Sequence, residues 1–254
     1  MCRHFAWIGA PRNLHALLFE PSYGLPEQAR LPRWQQVGLV NKDGYGAGWY
    51  DASRPEVFRT TTPIWEDAGF RPRARALEAA CVVGAARAAS PGMPLEVAAN
   101  APFTDGRHLF SLNGHLSVER NAALLGPGRA TESDVDSALL AALLWERLED
   151  GGPLDTTVEN LLYAIVERDA TACLNMLVSD GHRVVATTWA ETLCYREEPD
   201  GVLVASEPHD DRDDWTTVPD RSLLVADASS VTVRGLDAMP AAAPTVLPGE
   251  TVPG

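Results

Sequence analysis

Cysteine is scarce, with four in 254 residues, and no two of them form a Cys-x-x-Cys pair. That spacing excludes zinc ribbons and thioredoxin-like redox centres. Long apolar runs are also missing, since no stretch approaches the about 18 consecutive residues that a membrane-spanning helix needs. The opening segment, Met-Cys-Arg-His-Phe-Ala-Trp, has neither the apolar region nor the small-residue cleavage site of a secretory signal. A cytoplasmic protein is therefore expected, and in a reducing compartment no disulfide framework is. Basic residues are in deficit, with 21 Lys and Arg against 35 Asp and Glu, a formal net charge of -14. So acidic a chain repels phosphate backbones and anionic lipid, which makes nucleic acid and membrane poor partners. No internal repeat is visible.

The length allows one large domain or two small ones. Apolar alternation predicts a short strand at 4–9, and helical spacing of Leu14, Leu17 and Leu18 predicts a helix around 13–20. Asn41 to Tyr50 reads as a Gly-rich turn entering an aromatic strand. Arg73 to Ala80 is expected to be helical and 81–86 to be a buried strand. A strand over 108–112 ends in Asn113-Gly114, read as a turn dipeptide. Ser133 is the expected N-cap of an apolar helix over 134–149, with Asp134 and Asp136 in its first turn. Thr156 to Glu159 reads as a capping box opening a helix to about 168. The period then changes to that of strands, near 172–178, 183–189, 193–196, 202–206, 222–226 and 230–234. This order argues against a doubly wound parallel sheet and for two sheets with helices outside. From about Met239 the chain is aperiodic and rich in Ala and Pro. Residues 1–238 are expected to form one domain and 239–254 a disordered tail.

Cys81, Cys173 and Cys194 lie in apolar strings and read as small buried hydrophobes. Cys2 differs. Removal of Met1 would leave a thiol and a free α-amine on one residue, and an α-amine has a reference pKa of about 7.7–8.0. It can take the thiol proton and later donate it to a leaving amine, so no separate histidine is required. Position 2 alone is weak support. Other residues fit the same chemistry. Asn113 and Gly114 could supply the donors of an oxyanion hole, or form an ordinary turn. Arg87, at the end of an apolar strand, could bind a carboxylate or close an internal salt bridge. Asp134 could bind an ammonium group or simply cap its helix.

Taken in order, these residues resemble the class II glutamine amidotransferases, the N-terminal-nucleophile type. The matching segments are Cys2, Arg87 with Ser90, Leu112-Asn113-Gly114-His115 and Ser133-Asp134-Val135-Asp136, with Asp43 to Trp49 resembling the family's Gly-rich entry into a strand. The resemblance implies Cys2, Asn113 and Gly114 as catalytic residues and Arg87, Ser90, Asp134 and His115 as substrate-binding ones. Three departures stand out. Asp136 replaces the usual Glu, so the ammonium ligand is either Asp134 or Asp136. The string after Arg87 is Ala-Ala-Ser-Pro, and Cys2 is followed by Arg3-His4. They point to a pocket remodelled for something other than free glutamine.

A narrower resemblance is to the γ-glutamyl amidohydrolases of ergothioneine biosynthesis. It is carried by the N-terminal eleven residues, Gly38 to Trp49, Ala101-Pro102-Phe103, Asp136 to Leu144, Thr187-Thr188-Trp189 and Ala205 to Pro208, and runs to about residue 236. It implies an α+β fold, a four-layer αββα sandwich with two mainly antiparallel sheets, and hydrolysis of a γ-glutamyl amide through a thioester on Cys2. It implies no cofactor and no metal. The implied partner is a small-molecule γ-glutamyl substrate, with a functional link to other enzymes of that pathway. Such a module would fill the chain to its tail, so a stand-alone hydrolase is expected. Two alternatives stay open, a glutaminase feeding ammonia to a separate synthase and a catalytically silent binding or regulatory scaffold. Tyr45, Trp49 and Trp189 either face a trimethylammonium group by cation–π attraction or pack in the sheets. His4 is either a pocket residue or a core histidine, and Glu207 has no assigned role.

Overall fold

The computed structural model describes residues 2–35, 40–51 and 54–236, so Met1 and the expected tail at 239–254 lie outside the described residues. The chain opens with strand β1 (Arg3–Asn13), helices α1 (Leu14–Phe19) and α2 (Leu25–Arg30), and strands β2 (Tyr45–Asp51) and β3 (Arg54–Thr60). Short helix α3 (Phe70–Ala74) leads into β4 (Glu78–Ala86), then β5 (Phe103–Thr104) and β6 (Leu109–His115). Helices α4 (Val118–Asn121), α5 (Asp136–Leu148) and α6 (Leu154–Arg168) follow. The rest is β7 (Cys173–Ser179), β8 (Val184–Thr188), β9 (Cys194–Glu198), β10 (Gly201–Ala205), β11 (Thr216–Thr217), β12 (Ser222–Ala226) and β13 (Val231–Gly235).

The strands form two antiparallel sheets. One has the order β11-β9-β10-β1-β4-β2-β3 and the other β13-β12-β8-β7-β6-β5. Period-two alternation in β1 sends Phe5 and Trp7 outward against α1, α2 and α3, and Ala6 and Ile8 inward. The inward residues meet Leu109, Leu177 and Ala186 of the second sheet. The outer face of that sheet, with Phe110, Leu112 and Met176, is covered by the apolar faces of α5 and α6. The result is the expected four-layer αββα sandwich.

Four local expectations are corrected. The helix expected over 73–80 is only α3, which ends at Ala74, because β4 begins at Glu78 and pairs with the far end of β1, Asn13 opposite Glu78. That pairing overrides the helix propensity of Arg-Ala-Leu-Glu-Ala-Ala. Asn113-Gly114 is not a turn: both residues lie in β6, paired with Asn175 and Leu174 of β7. Ser133 does not cap α5, since the helix begins only at Asp136 with Val135 in the N-cap position; the Ser133 hydroxyl instead donates to Glu96 at 2.6 Å. The Thr156–Glu159 capping box is likewise not formed, because α6 starts at Leu154 after Pro153.

Candidate active site

Cys2 heads β1 on the inter-sheet side, and Asn113 lies on the inward face of β6 with Leu109 and Ser111. The two sheets meet here, where the Cys2 backbone nitrogen donates to Asn113 Oδ1 at 3.1 Å. The other half of that amide, Nδ2, is buried and has no hydrogen-bond partner among the described residues. Gly114 follows at φ +157°, and a Cβ there would lie 1.9 Å from the Cys173 carbonyl oxygen. Only glycine lets β6 approach β7 this closely.

These strand ends open into a cavity of about 370 Å³ whose wall includes Cys2, Arg87, Ser90, Gly114, His115 and Asp136. Arg87 continues β4 and is clamped to the Gly-rich segment before β2. Its N–H donates to Gly44 O at 2.8 Å and its carbonyl accepts from Asp43 N at 2.9 Å. The Asp43 carboxylate takes the Ala89 N–H at 2.8 Å, and the Arg87 guanidinium donates to Pro94 O at 2.9 Å. The resemblance of residues 43–49 to a family segment thus has a physical content: that segment holds the cation.

Asp136 is the acidic counterpart. Its carboxylate accepts the N–H groups of Leu116 at 3.2 Å and Ser137 at 2.8 Å at the start of α5. Burial pushes this carboxyl above its ordinary pKa, against the pull of those hydrogen bonds and of His115 and Arg87. An incoming ammonium group would reverse that shift. Asp134 is corrected as a cavity residue: it is exposed and lines a separate surface depression beside Arg129 and Leu125. The two-residue displacement follows from the late start of α5.

Cys173 is also not the buried hydrophobe expected, because it is half-buried in the cavity wall. Burial, with Glu191, Asp220 and Asp169 nearby, pushes its thiol up, so it is a weak nucleophile. Cys81 and Cys194 are buried as expected. His4 is a core histidine, fully buried with Nδ1 on Ser111 Oγ at 3.1 Å, and burial and Arg3 lower its pKa to about 3. Tyr45, Trp49 and Trp189 pack in the sheets.

Arg3 was not singled out for a role by its residue type, yet its fully buried guanidinium organises the site from behind. It donates to the Cys2 carbonyl at 2.8 Å and to Asn113 Oδ1 at 3.4 Å, and meets Glu207 at 3.4 Å and Glu191 at 3.5 Å. Both donors to Asn113 Oδ1 fix the amide so that Nδ2 is the free end. No group of three or more His, Cys, Asp or Glu side chains among the described residues is placed to hold a metal ion. No helix among them is long and apolar enough to cross a membrane.

Comparison with known proteins gives the fold and the family. No protein-family model matches the chain. The structure is similar to a glutamine aminotransferase class-II domain protein from Silicibacter pomeroyi, with TM-score 0.65 and 22% identity over 93% of this chain and all of that one. It also resembles the glutamine phosphoribosylpyrophosphate amidotransferase from B. subtilis, with TM-score 0.70 and 15% identity over 93% of this chain and 49% of that one. Those likenesses show the N-terminal-nucleophile amidotransferase fold. The γ-glutamyl-hercynylcysteine sulfoxide hydrolase of Mycolicibacterium smegmatis is 46% identical over 233 residues, 91% of this chain and 98% of that protein. The enzyme of the same name from Mycobacterium tuberculosis is 41% identical over 237 residues, 93% of this chain and 97% of its own length. At that identity and coverage, the chain belongs to the γ-glutamyl-hercynylcysteine sulfoxide hydrolase family.

Proposed function

We propose that the protein hydrolyses the γ-glutamyl amide bond of γ-glutamyl-hercynylcysteine sulfoxide, releasing glutamate and hercynylcysteine sulfoxide, with Cys2 as nucleophile. The observation that carries this reading is the meeting of Cys2 N with Asn113 Oδ1 beside a cavity whose wall carries the Arg87 guanidinium and the Asp136 carboxylate, with Glu191 at the side it shares with a neighbouring crevice. Arg87 takes the α-carboxylate of the γ-glutamyl head and Asp136 its ammonium group. Ser90 and His115 line the same wall. After Met1 is removed, the Cys2 α-amine accepts the thiol proton, directly or through one water. Sγ bonds to the γ-carbonyl carbon, and the oxyanion is held by Asn113 Nδ2 and the Gly114 N–H. Collapse breaks the C–N bond, and the α-ammonium returns its proton to the departing amine. Water, deprotonated by the α-amine, then cleaves the γ-glutamyl thioester to glutamate and regenerates the thiol.

The test is glutamate release from γ-glutamyl-hercynylcysteine sulfoxide and from glutamine, for the natural sequence and for Cys2→Ala. The expected result is faster turnover of the sulfoxide and none by Cys2→Ala. Faster turnover of glutamine would defeat the substrate assignment, and normal turnover by Cys2→Ala would defeat the nucleophile.

A further inference from the structure

A second cavity, of about 260 Å³, adjoins the catalytic one and shares Ala190 and Glu191 with it; its other wall residues are Trp34, Thr192 and Asp220. Its construction is tied to the nucleophile. Arg3, which holds the Cys2 carbonyl, also meets Glu191 in the shared wall and Glu207 in the core. Glu207 in turn accepts the backbone N–H groups of Arg33 at 2.7 Å and Trp34 at 3.0 Å, which anchors the loop carrying the indole. The junction itself is strained, since Ala190 has φ 71° and is kept there by an N–H donated to Asp220 at 2.8 Å. A non-glycine residue in that region costs free energy and is retained where the surroundings over-determine it.

The lining chemistry selects the occupant. Arg3 meets Glu191 from behind, Asp220 adds a second carboxylate to the wall, and no basic side chain among the described residues lines it, so the crevice favours a cation. Trp34 is the only indole among the described residues lining either cavity, and an indole face beside carboxylates suits a quaternary ammonium group, which offers no hydrogen-bond donor. In the catalytic cavity Arg87 and Asp136 match the γ-glutamyl head, which leaves Glu191, on the wall shared with the neighbouring crevice, to face the amine half of the substrate. We propose that the crevice formed by Trp34, Glu191 and Asp220 is the leaving-group subsite and that it binds a quaternary ammonium group. This rests on the γ-glutamyl hydrolase reading, and the hercynyl group, a trimethylated histidine, carries such a cation.

The test uses the full chain and two γ-glutamyl amides that differ only at the far end, one bearing trimethylammonium and the other the neutral, isosteric tert-butyl group. The quantity read is the ratio of their kcat/KM values. The expected ratio for the natural sequence is about tenfold or more in favour of the cation, falling toward unity in Trp34→Leu and recovering in Trp34→Phe, which restores an aromatic face. Asp220→Asn keeps the acceptor for the Ala190 N–H and removes the charge, so it should lower the ratio several-fold even if the Trp34 variants do not fold. A ratio near unity for the natural sequence, or one that neither Trp34→Leu nor Asp220→Asn changes, overturns the subsite alone. Cleavage of neither amide overturns the hydrolase reading and the subsite with it.

Discussion

Replacing Asn113 with alanine removes two functions of one amide. Nδ2, buried and without a partner among the described residues, is the side-chain donor proposed for the oxyanion. Loss of one such donor costs about 2.7–4 kcal/mol in the transition state, or about 10²–10³ in kcat. Oδ1 is the acceptor for Cys2 N and Arg3 Nη2, and leaving those donors unsatisfied costs about 1–3 kcal/mol of stability. For a domain of this size each kcal/mol lowers Tm by about 2–4 °C. The two effects separate by assay, with glutamate release giving kcat and KM and a thermal melt giving the stability loss. Asn113→Ala should therefore lose about 10²-fold or more in kcat with little change in KM, and melt a few degrees lower. Asn113→Asp keeps the acceptor side but sets a carboxylate against the oxyanion, so it should lose at least as much kcat while keeping most of its Tm. A folded Asn113→Ala protein that retains more than about a tenth of the natural kcat would refute the oxyanion assignment.

Three further outcomes follow from the same geometry. Because burial holds the Asp136 pKa above its ordinary value, the folded protein favours the protonated carboxyl; its stability contribution is present at low pH and lost as pH rises through the raised pKa. Asp136→Asn should accordingly melt higher at neutral pH, lose that gain in acid, and show a raised KM without the rise in KM on acidification expected of the natural protein; a lower melting point at neutral pH would contradict this. Arg3→Met leaves Glu207 and Glu191 without their cation, and breaking a buried pair in this way costs about 3–5 kcal/mol, read from the denaturant midpoint. A shift under about 1 kcal/mol would show that the guanidinium does not hold the site together. Gly114→Ala drives a methyl group into the Cys173 carbonyl, so it should cost both stability and turnover; unchanged kinetics would show that β6 and β7 can part without harm.

Much of the architecture is legible in local pattern, because alternation and apolar runs are properties of neighbouring residues. The strands from 172 onward, the β1 and β2 segments and the apolar α5 all follow from it. What failed was decided at a distance. Asn-Gly has the chemistry of a tight turn, yet Gly114 is needed where β6 crosses the Cys173 carbonyl, a contact between residues 59 apart in sequence. Ser133 has the right type for a cap, but it lies two residues before Val135, which takes the N-cap position, and its hydroxyl donates to Glu96. With the helix starting at Asp136, the carboxylate in the cavity is Asp136 and not Asp134. The candidate site was legible at Cys2, Arg87, Asn113 and Gly114, where residue types and order matched a family pattern. Arg3 was noted only as a departure, and its role depends on Glu191 and Glu207, which only the fold brings to it. Trp34 sits in a loop without periodicity or motif, and nothing short of the structure places it beside the catalytic cavity.

The claim on which the account stands is that Cys2, freed of Met1, is the attacking group. Intact-mass and peptide analysis after incubation with the γ-glutamyl-directed electrophile diazo-oxo-norleucine tests it in one measurement. The predicted result is a chain lacking Met1 and carrying a single adduct, located on Cys2. An adduct on Cys173, the other thiol in the cavity wall, or an active protein that keeps Met1, would contradict it.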